Sequence, residues 1–205
     1  DDNATSTAIT IDASENVGLG VTPEAWGSGS TALQIGATSA VSAFSDQLDL
    51  SENAYWLAGG SSYRYTTTSH ASSISLTNGT HVFKVAPSGT ADAAISWTTA
   101  MTIDNSGSVG IGTGSPAQEL DISSTNPAIR LTDTTTSGLY HDLVSYGNDL
   151  RFSADGGDVQ AGTNIEFYID NDEKMRINSA GIVTKPYQPA FSVSLNAYSG
   201  INCAP

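Results

Sequence analysis

TIDNSGSVGIGTGSPAQELDI, Thr102 to Ile122, spaces its glycines at Gly107, Gly110, Gly112 and Gly114. A phosphate-cradling loop would use such residues for their bare backbone N–H groups. A joint between strands would use them for positive φ and for close approach of backbone to backbone. The dinucleotide fingerprint needs G-x-G-x-x-G opening a helix, but Gly110 and Gly112 are followed by Gly114 and then Ser115-Pro116, with no helical apolar period after them. A phosphate loop ending Gly-Lys-Ser/Thr is also missing, because no lysine lies near. The string moreover has relatives in the same chain: TIDASENVG (10–18) and RINSAGIVT (176–184) align without gaps to TIDNSGSVG (102–110). A structural joint used more than once accounts for all of them, and no cofactor is expected.

Ile11 and Val17, Ile103 and Val109, and Ile177 and Val183 hold equivalent places, with Asp12, Asp104 or Asn178 opening a small polar turn between them. Asp and Asn start such turns by bonding nearby backbone, and Ser, Gly and Asn tolerate unusual φ within them. Each joint therefore reads strand, tight turn, strand. Val17-Gly18-Leu19-Gly20 and Val109-Gly110-Ile111-Gly112 continue as extended segments, closed by Pro23 and Pro116; the third joint keeps Pro186 and lacks these glycines. Between joints, ALQIG (32–36) corresponds to ELDIS (119–123), SYRY (62–65) to DLRF (149–152), and HVFKVAPSG (81–89) to IEFYIDNDE (165–173). Met101 and Met175 close the two blocks. The chain divides into an N-terminal strand and joint (1–15), a first β-rich module (16–101), a joint (102–116), a second β-rich module (117–175), a third joint and linker (176–188) and a C-terminal strand (189–205).

Alternation supports strands throughout. Val82, Lys84 and Ala86 share one face against Phe83 and Val85, and Ile165, Phe167 and Ile169 oppose Glu166, Tyr168 and Asp170. That is the period of two. Ser, Thr, Gly and Asn disfavour helix, so the fold class is all-β. Charged residues make up only 14% of the chain, against about a quarter in an average soluble domain; hydroxyl and amide groups do the solvating.

Lys+Arg is 7 and Asp+Glu 21, giving a net charge of −14. Nucleic acid and anionic membrane both call for a basic surface, so neither is an expected partner. No apolar run approaches the roughly 20 residues of a spanning helix, and no membrane insertion is expected. Cys203 is the one cysteine, which leaves no disulfide or CxxC knuckle within the chain. The start at Asp1 rather than Met reads as a processed chain or a piece of a longer one.

The joint at 102–122 resembles the recurrent VGIGT-x-SP…L-D/H-I/V element of bacteriophage tail fibres and related virion fibres. AMTIDNSG, PAIRLTDT (127–134), LRFSADGG (150–157) and EKMRINSAG (173–181) resemble the same family. Together these matches cover most of residues 10–184; the first joint departs from the pattern in reading VGLGVTP. The resemblance implies an elongated, intertwined, parallel homotrimer located on the virion, with other tail or baseplate proteins and a host glycan or surface protein as partners. Thin apolar sets such as Ile122, Ile129 and Leu131 fit it, since three chains together could bury what one cannot. PAFSVSL, from Pro189, resembles the first strand of the small jelly-roll heads of the complement and tumour-necrosis-factor type.

Other candidates carry less. His70, His81 and His141 show no metal spacing, and His141-Asp142 is an isolated neighbour pair. Asp155-Gly156-Gly157-Asp158 and Asp170-Asn171-Asp172-Glu173 could offer oxygens to calcium, but Lys174 stands where an EF-hand loop wants an oxygen, and turn chemistry accounts for both. No metal site and no catalytic residue is assigned, so the chain is not expected to be an enzyme. Asn78-Gly79-Thr80 matches a glycosylation acceptor by chance. NAYWLAGGSSYRY (53–65) reads as a hairpin around Gly59-Gly60, whose Tyr55, Trp56, Tyr63 and Tyr65 are candidates for stacking on receptor sugars, or else cross-strand and interface pairs. The expected role is a structural virion fibre that contributes to host recognition. A cell-surface adhesin or appendage subunit is the alternative, and a polysaccharide-cleaving tail spike with paired carboxylates is the next.

Overall fold

Hydroxyl-rich segments alternating with apolar residues do fold as strands. The computed structural model describes residues 8–60 and 62–186. The strand expected over 189–205, with Cys203, lies outside them. Among the described residues every regular element is a strand, so the all-β class is met.

Two compact units divide the chain, Asp1–Pro127 and Ala128–Pro205. The first holds β1 (Ile9–Ile11), β2 (Val17–Leu19), β3 (Ser30–Ile35), β4 (Ser39–Phe44), β5 (Gln47–Glu52), β6 (Ala54–Trp56), β7 (Tyr63–Tyr65), β8 (Ser69–Thr77), β9 (Thr80–Gly89), β10 (Thr98–Ile103), β11 (Val109–Ile111) and β12 (Leu120–Ile122). All but β6 and β7 join one ten-stranded sheet in the order β1-β2-β3-β4-β5-β8-β9-β10-β11-β12. Neighbours are antiparallel except β2 with β3 and β11 with β12. Across the joint at 102–116, β10, β11 and β12 pair in succession within one sheet, and the two units divide after Pro127. The joint is a hairpin inside the sheet.

The turns follow residue chemistry. Asn78 and Gly79, joining β8 to β9, have φ of 49° and 76°, the pair of positive values that a type I′ hairpin demands. β9 then runs unbroken from Thr80 to Gly89. Its expected counterpart at 165–173 does not, because the chain reverses at Asp170-Asn171, with φ of 51° and 64°.

The sheet's polarity is inverted from the usual. Its covered face carries small and polar residues: Ala32, Gln34, Ala40, Asp49, Ala71 and Ser75 are all buried. Onto them packs a cover made by residues around Trp26, the β6–β7 hairpin and the segment through Ile95 and Trp97. Short side chains on the sheet leave room for aromatic rings above, each taking roughly 150–250 Å² out of water. The other face bears an apolar row that runs strand to strand. Leu33 pairs with Val41, Val41 with Leu50, Leu50 with Ile74, Ile74 with Phe83 and Phe83 with Met101. Val17 and Ile11 extend it at one end, Ile111 and Ile122 at the other. No residue of the row is buried.

The second unit holds β13 (Ala128–Thr132), β14 (Tyr140–Tyr146) and β15 (Asp149–Ser153) in one sheet, and β16 (Ile165–Ile169), β17 (Asp172–Ile177) and β18 (Val183–Thr184) in another. Apolar residues again align across strands, Ile129 with Leu143 and Leu143 with Phe152. Among the described residues from 128 to 186, none is buried.

Candidate functional site: joints, aromatic cover and open apolar faces

The joints share one hydrogen-bond plan. Asp12 N–H donates to Asn16 O (3.0 Å), Asp104 N–H to Ser108 O (2.9 Å) and Asn178 N–H to Ile182 O (3.1 Å). Each opening side chain accepts two backbone N–H groups through Oδ1: Ser14 and Asn16 at Asp12 (2.8 and 2.9 Å), Ser106 and Ser108 at Asp104 (both 2.9 Å), Ala180 and Ile182 at Asn178 (both 3.0 Å). Glu15, Gly107 and Gly181 take the positive φ, at 66°, 92° and 75°. The pairings Ile11–Val17, Ile103–Val109 and Ile177–Val183 then close the hairpins.

The glycines of the joints serve close approach of backbone to backbone. A Cβ on Gly18 would lie 2.1 Å from Val21 O and 2.9 Å from Pro23 Cδ; one on Gly110 would lie 2.6 Å from Thr113 O. Gly20 and Gly112 adopt φ of 68° and 73°. Their N–H groups are engaged, Gly20 with Ala8 O (2.9 Å) and Gly112 with Ala100 O (3.0 Å). Pro23 and Pro116 sit in the crossovers from β2 to β3 and from β11 to β12.

Charge on the turns is held by these bonds. Asp12 lies below the ordinary carboxylate range chiefly through the Asn16 side chain, and Asp104 chiefly through the Ser106 side chain, each helped by backbone N–H groups. Asp155 is lowered by the Val159 and Gln160 N–H groups. It opens a related turn where the sequence shows only an acidic cluster: Asp158 N–H donates to Asp155 O, and Asp158 takes φ of 51°. The signal was present in ADGGDV, an Asx residue followed by a positive-φ candidate three positions on.

The β6–β7 hairpin forms where it was expected, Ala54 to Trp56 against Tyr63 to Tyr65. Two of its four candidate aromatics are turned inward, and the pairs they form are cross-strand and cover contacts. Tyr55 and Tyr65 are each 4% exposed, and Trp56 and Tyr63 are half-buried. Trp56 lies edge-on to Tyr63 at 5.1 Å, and Tyr63 edge-on to Trp97 at 6.0 Å. The phenols are spent within the chain. Tyr55 donates to Asp92 (2.9 Å), Tyr65 to Pro87 O (2.6 Å), and Tyr63 to Asp49. Burial, then the Asp92 contact, pushes Tyr55 up to about 12; burial and Asp49 raise Tyr63 further. Asp49 itself, 2% exposed, also accepts from Gln47 Nε2 (2.6 Å), and its Oδ1 has no partner among the described residues.

Buried amides fasten the cover. Asn53 donates to Thr67 O (3.1 Å) and His70 O (2.8 Å), and accepts from Thr67 N–H (2.7 Å). Asn16 ties the first joint to β3 by accepting from Ala32 N–H at 3.0 Å. Neither role was legible, since an Asn is equally at home in an exposed turn.

His141 and Asp142 do not act together. His141 Nδ1 accepts from Asp155 N–H (3.1 Å), while Asp142 takes a two-pronged pair from Arg130 (2.9 and 2.8 Å). The Arg130 guanidinium stacks 3.7 Å from the centre of the Tyr140 ring. No family model matches the chain, and no curated protein matches it in sequence.

Proposed function

We propose that the chain is part of a structural, non-enzymatic virion fibre of the tail-fibre type, homotrimeric, projecting from the particle and contributing to attachment at the host surface. The single observation that supports it best is the second unit's want of a core. From 128 to 186 no described side chain is buried, while Leu131 is 67% exposed, Leu150 67% and Phe152 66%. Ordering a residue costs about 1–2 kcal/mol of backbone entropy, and exposed side chains return almost none of it. Such strands are stable when other chains cover them. The joint residues from Ile11 to Val183 then close the hairpins that hold the strands in register within the fibre. Attachment by three copies acts through high effective concentration, with a host glycan or surface protein at one end and tail or baseplate proteins at the other.

Light scattering and sedimentation of the purified chain test this. The expected native mass is three times 21.1 kDa with a strongly elongated frictional ratio; a compact monomer overturns the reading. Incubation with host polysaccharide is expected to release no new reducing ends, and their appearance would favour a cleaving spike.

A further inference from the structure

We propose that the apolar row Leu33–Val41–Leu50–Ile74–Phe83–Met101 faces a three-fold axis, where each residue packs against its own counterparts in two further copies of the chain. This rests on the homotrimer proposed above and assigns the face through which it forms.

The charge on one flank of the row decides the symmetry. Ten strands about 4.8 Å apart, with same-face neighbours about 7 Å apart along each strand, make a single row of roughly 300 Å². A stable interface buries about 800 Å² on each partner, more than the row alone supplies in either symmetry. A flat pair could reach that only by burying the flanks as well. On one flank the line Ile35–Ser39–Glu52–Ser72–Val85, joined strand to strand, is exposed throughout and carries a carboxylate at its middle. Burying the Glu52 carboxylate against an uncharged partner is costly. Three rows converging on an axis avoid this, because each is covered from two sides along the row itself while Glu52 stays in water. Leu48 and Leu76, paired on the other flank, widen the row toward a neighbour.

Charge points the same way. The chain carries −14, so copies repel unless they meet where carboxylates are few, and the row has none. Pro23, Trp26 and the aromatic cover lie on the opposite face of the sheet and remain outside. Rotation about one axis puts identical residues at the same height, so every level of the row meets itself.

The test uses the full chain with Cys203→Ser, carrying either Leu33→Cys or Met101→Cys, one near each end of the row. On oxidation each variant is expected to link to its own counterpart within a trimer, far above an exposed Ala91→Cys control. A trimer in which neither position self-links, or in which Leu33→Cys links only to Met101→Cys in mixed samples, overturns the row as the axis and leaves the fibre standing. A monomer overturns both. Independently, Ile74→Asp is expected to lower the native mass threefold with the strand signal in circular dichroism retained, while Ala91→Asp leaves the mass unchanged. An intact trimer of Ile74→Asp also overturns the proposal.

Discussion

Asp104 and Asn178 do the same work with different chemistry. Each accepts two backbone N–H groups through Oδ1, but only the carboxyl titrates. Asp104 is held below its ordinary value by the Ser106 side chain and backbone N–H groups, so its folded value is lower than its unfolded one, which is about 3.9. Stability from that turn is therefore present above the unfolded value and lost as pH falls through the folded one. Protection of the Ser106 and Ser108 amides in hydrogen exchange is expected to collapse below about pH 4, and that of Ala180 and Ile182 to persist. Asp104→Asn is expected to keep the first pair protected in acid; equal loss with and without the substitution would show that the carboxylate does not hold the turn. Tyr63 poses a different test, because its phenol is one of the donors to the buried Asp49. Tyr63→Phe is expected to cost about 1–3 kcal/mol in urea unfolding, and a loss below about 0.5 kcal/mol would mean that the ring contributes packing alone.

At the scale of the element, the glycines of the first two joints separate into those that geometry requires and one that it does not. Gly110→Ala would press its methyl to 2.6 Å from Thr113 O, and Gly18→Ala to 2.1 Å from Val21 O. Each is expected to lower stability by about 1–3 kcal/mol. A methyl on Gly114 would meet no atom within 4 Å, and Gly114 has no positive φ, so Gly114→Ala is expected to be neutral or to stabilise by up to about 1 kcal/mol. A similar loss at all three positions in thermal melts would refute this division. Strand and turn were legible here because Asx chemistry and period two are local: Ile103, Asp104 and Val109 announce the hairpin by themselves. What was not legible is non-local. Nothing near Tyr55 or Tyr65 says that the facing strands are lined with Ala and Ser, short enough to take the rings in. Likewise the joint's place inside a sheet depends on β9 and β12, which lie on either side of it in space.

For the whole molecule, the question is what kind of force could hold together copies that each carry −14. Ion pairing between copies would weaken as salt rises, since screening lengths fall from about 10 Å at 0.1 M to about 3 Å at 1 M. Apolar association of like-charged chains behaves in the opposite way. Screening removes their mutual repulsion and leaves the burial term in place, and sulfate strengthens it further. The cations available for cross-pairing are few, Lys+Arg 7 against Asp+Glu 21. Several are already engaged within the chain, Arg130 with Asp142 and Arg176 with Glu166 and Glu173. In the proposed trimer the exposed apolar rows of both units supply the surface instead. Dissociation followed by native mass on dilution is therefore expected to shift to lower protein concentration as sodium chloride rises from about 0.05 M to about 1 M, the range over which screening saturates. A shift to higher concentration would mean that charged groups, rather than the row from Leu33 to Met101, carry the association.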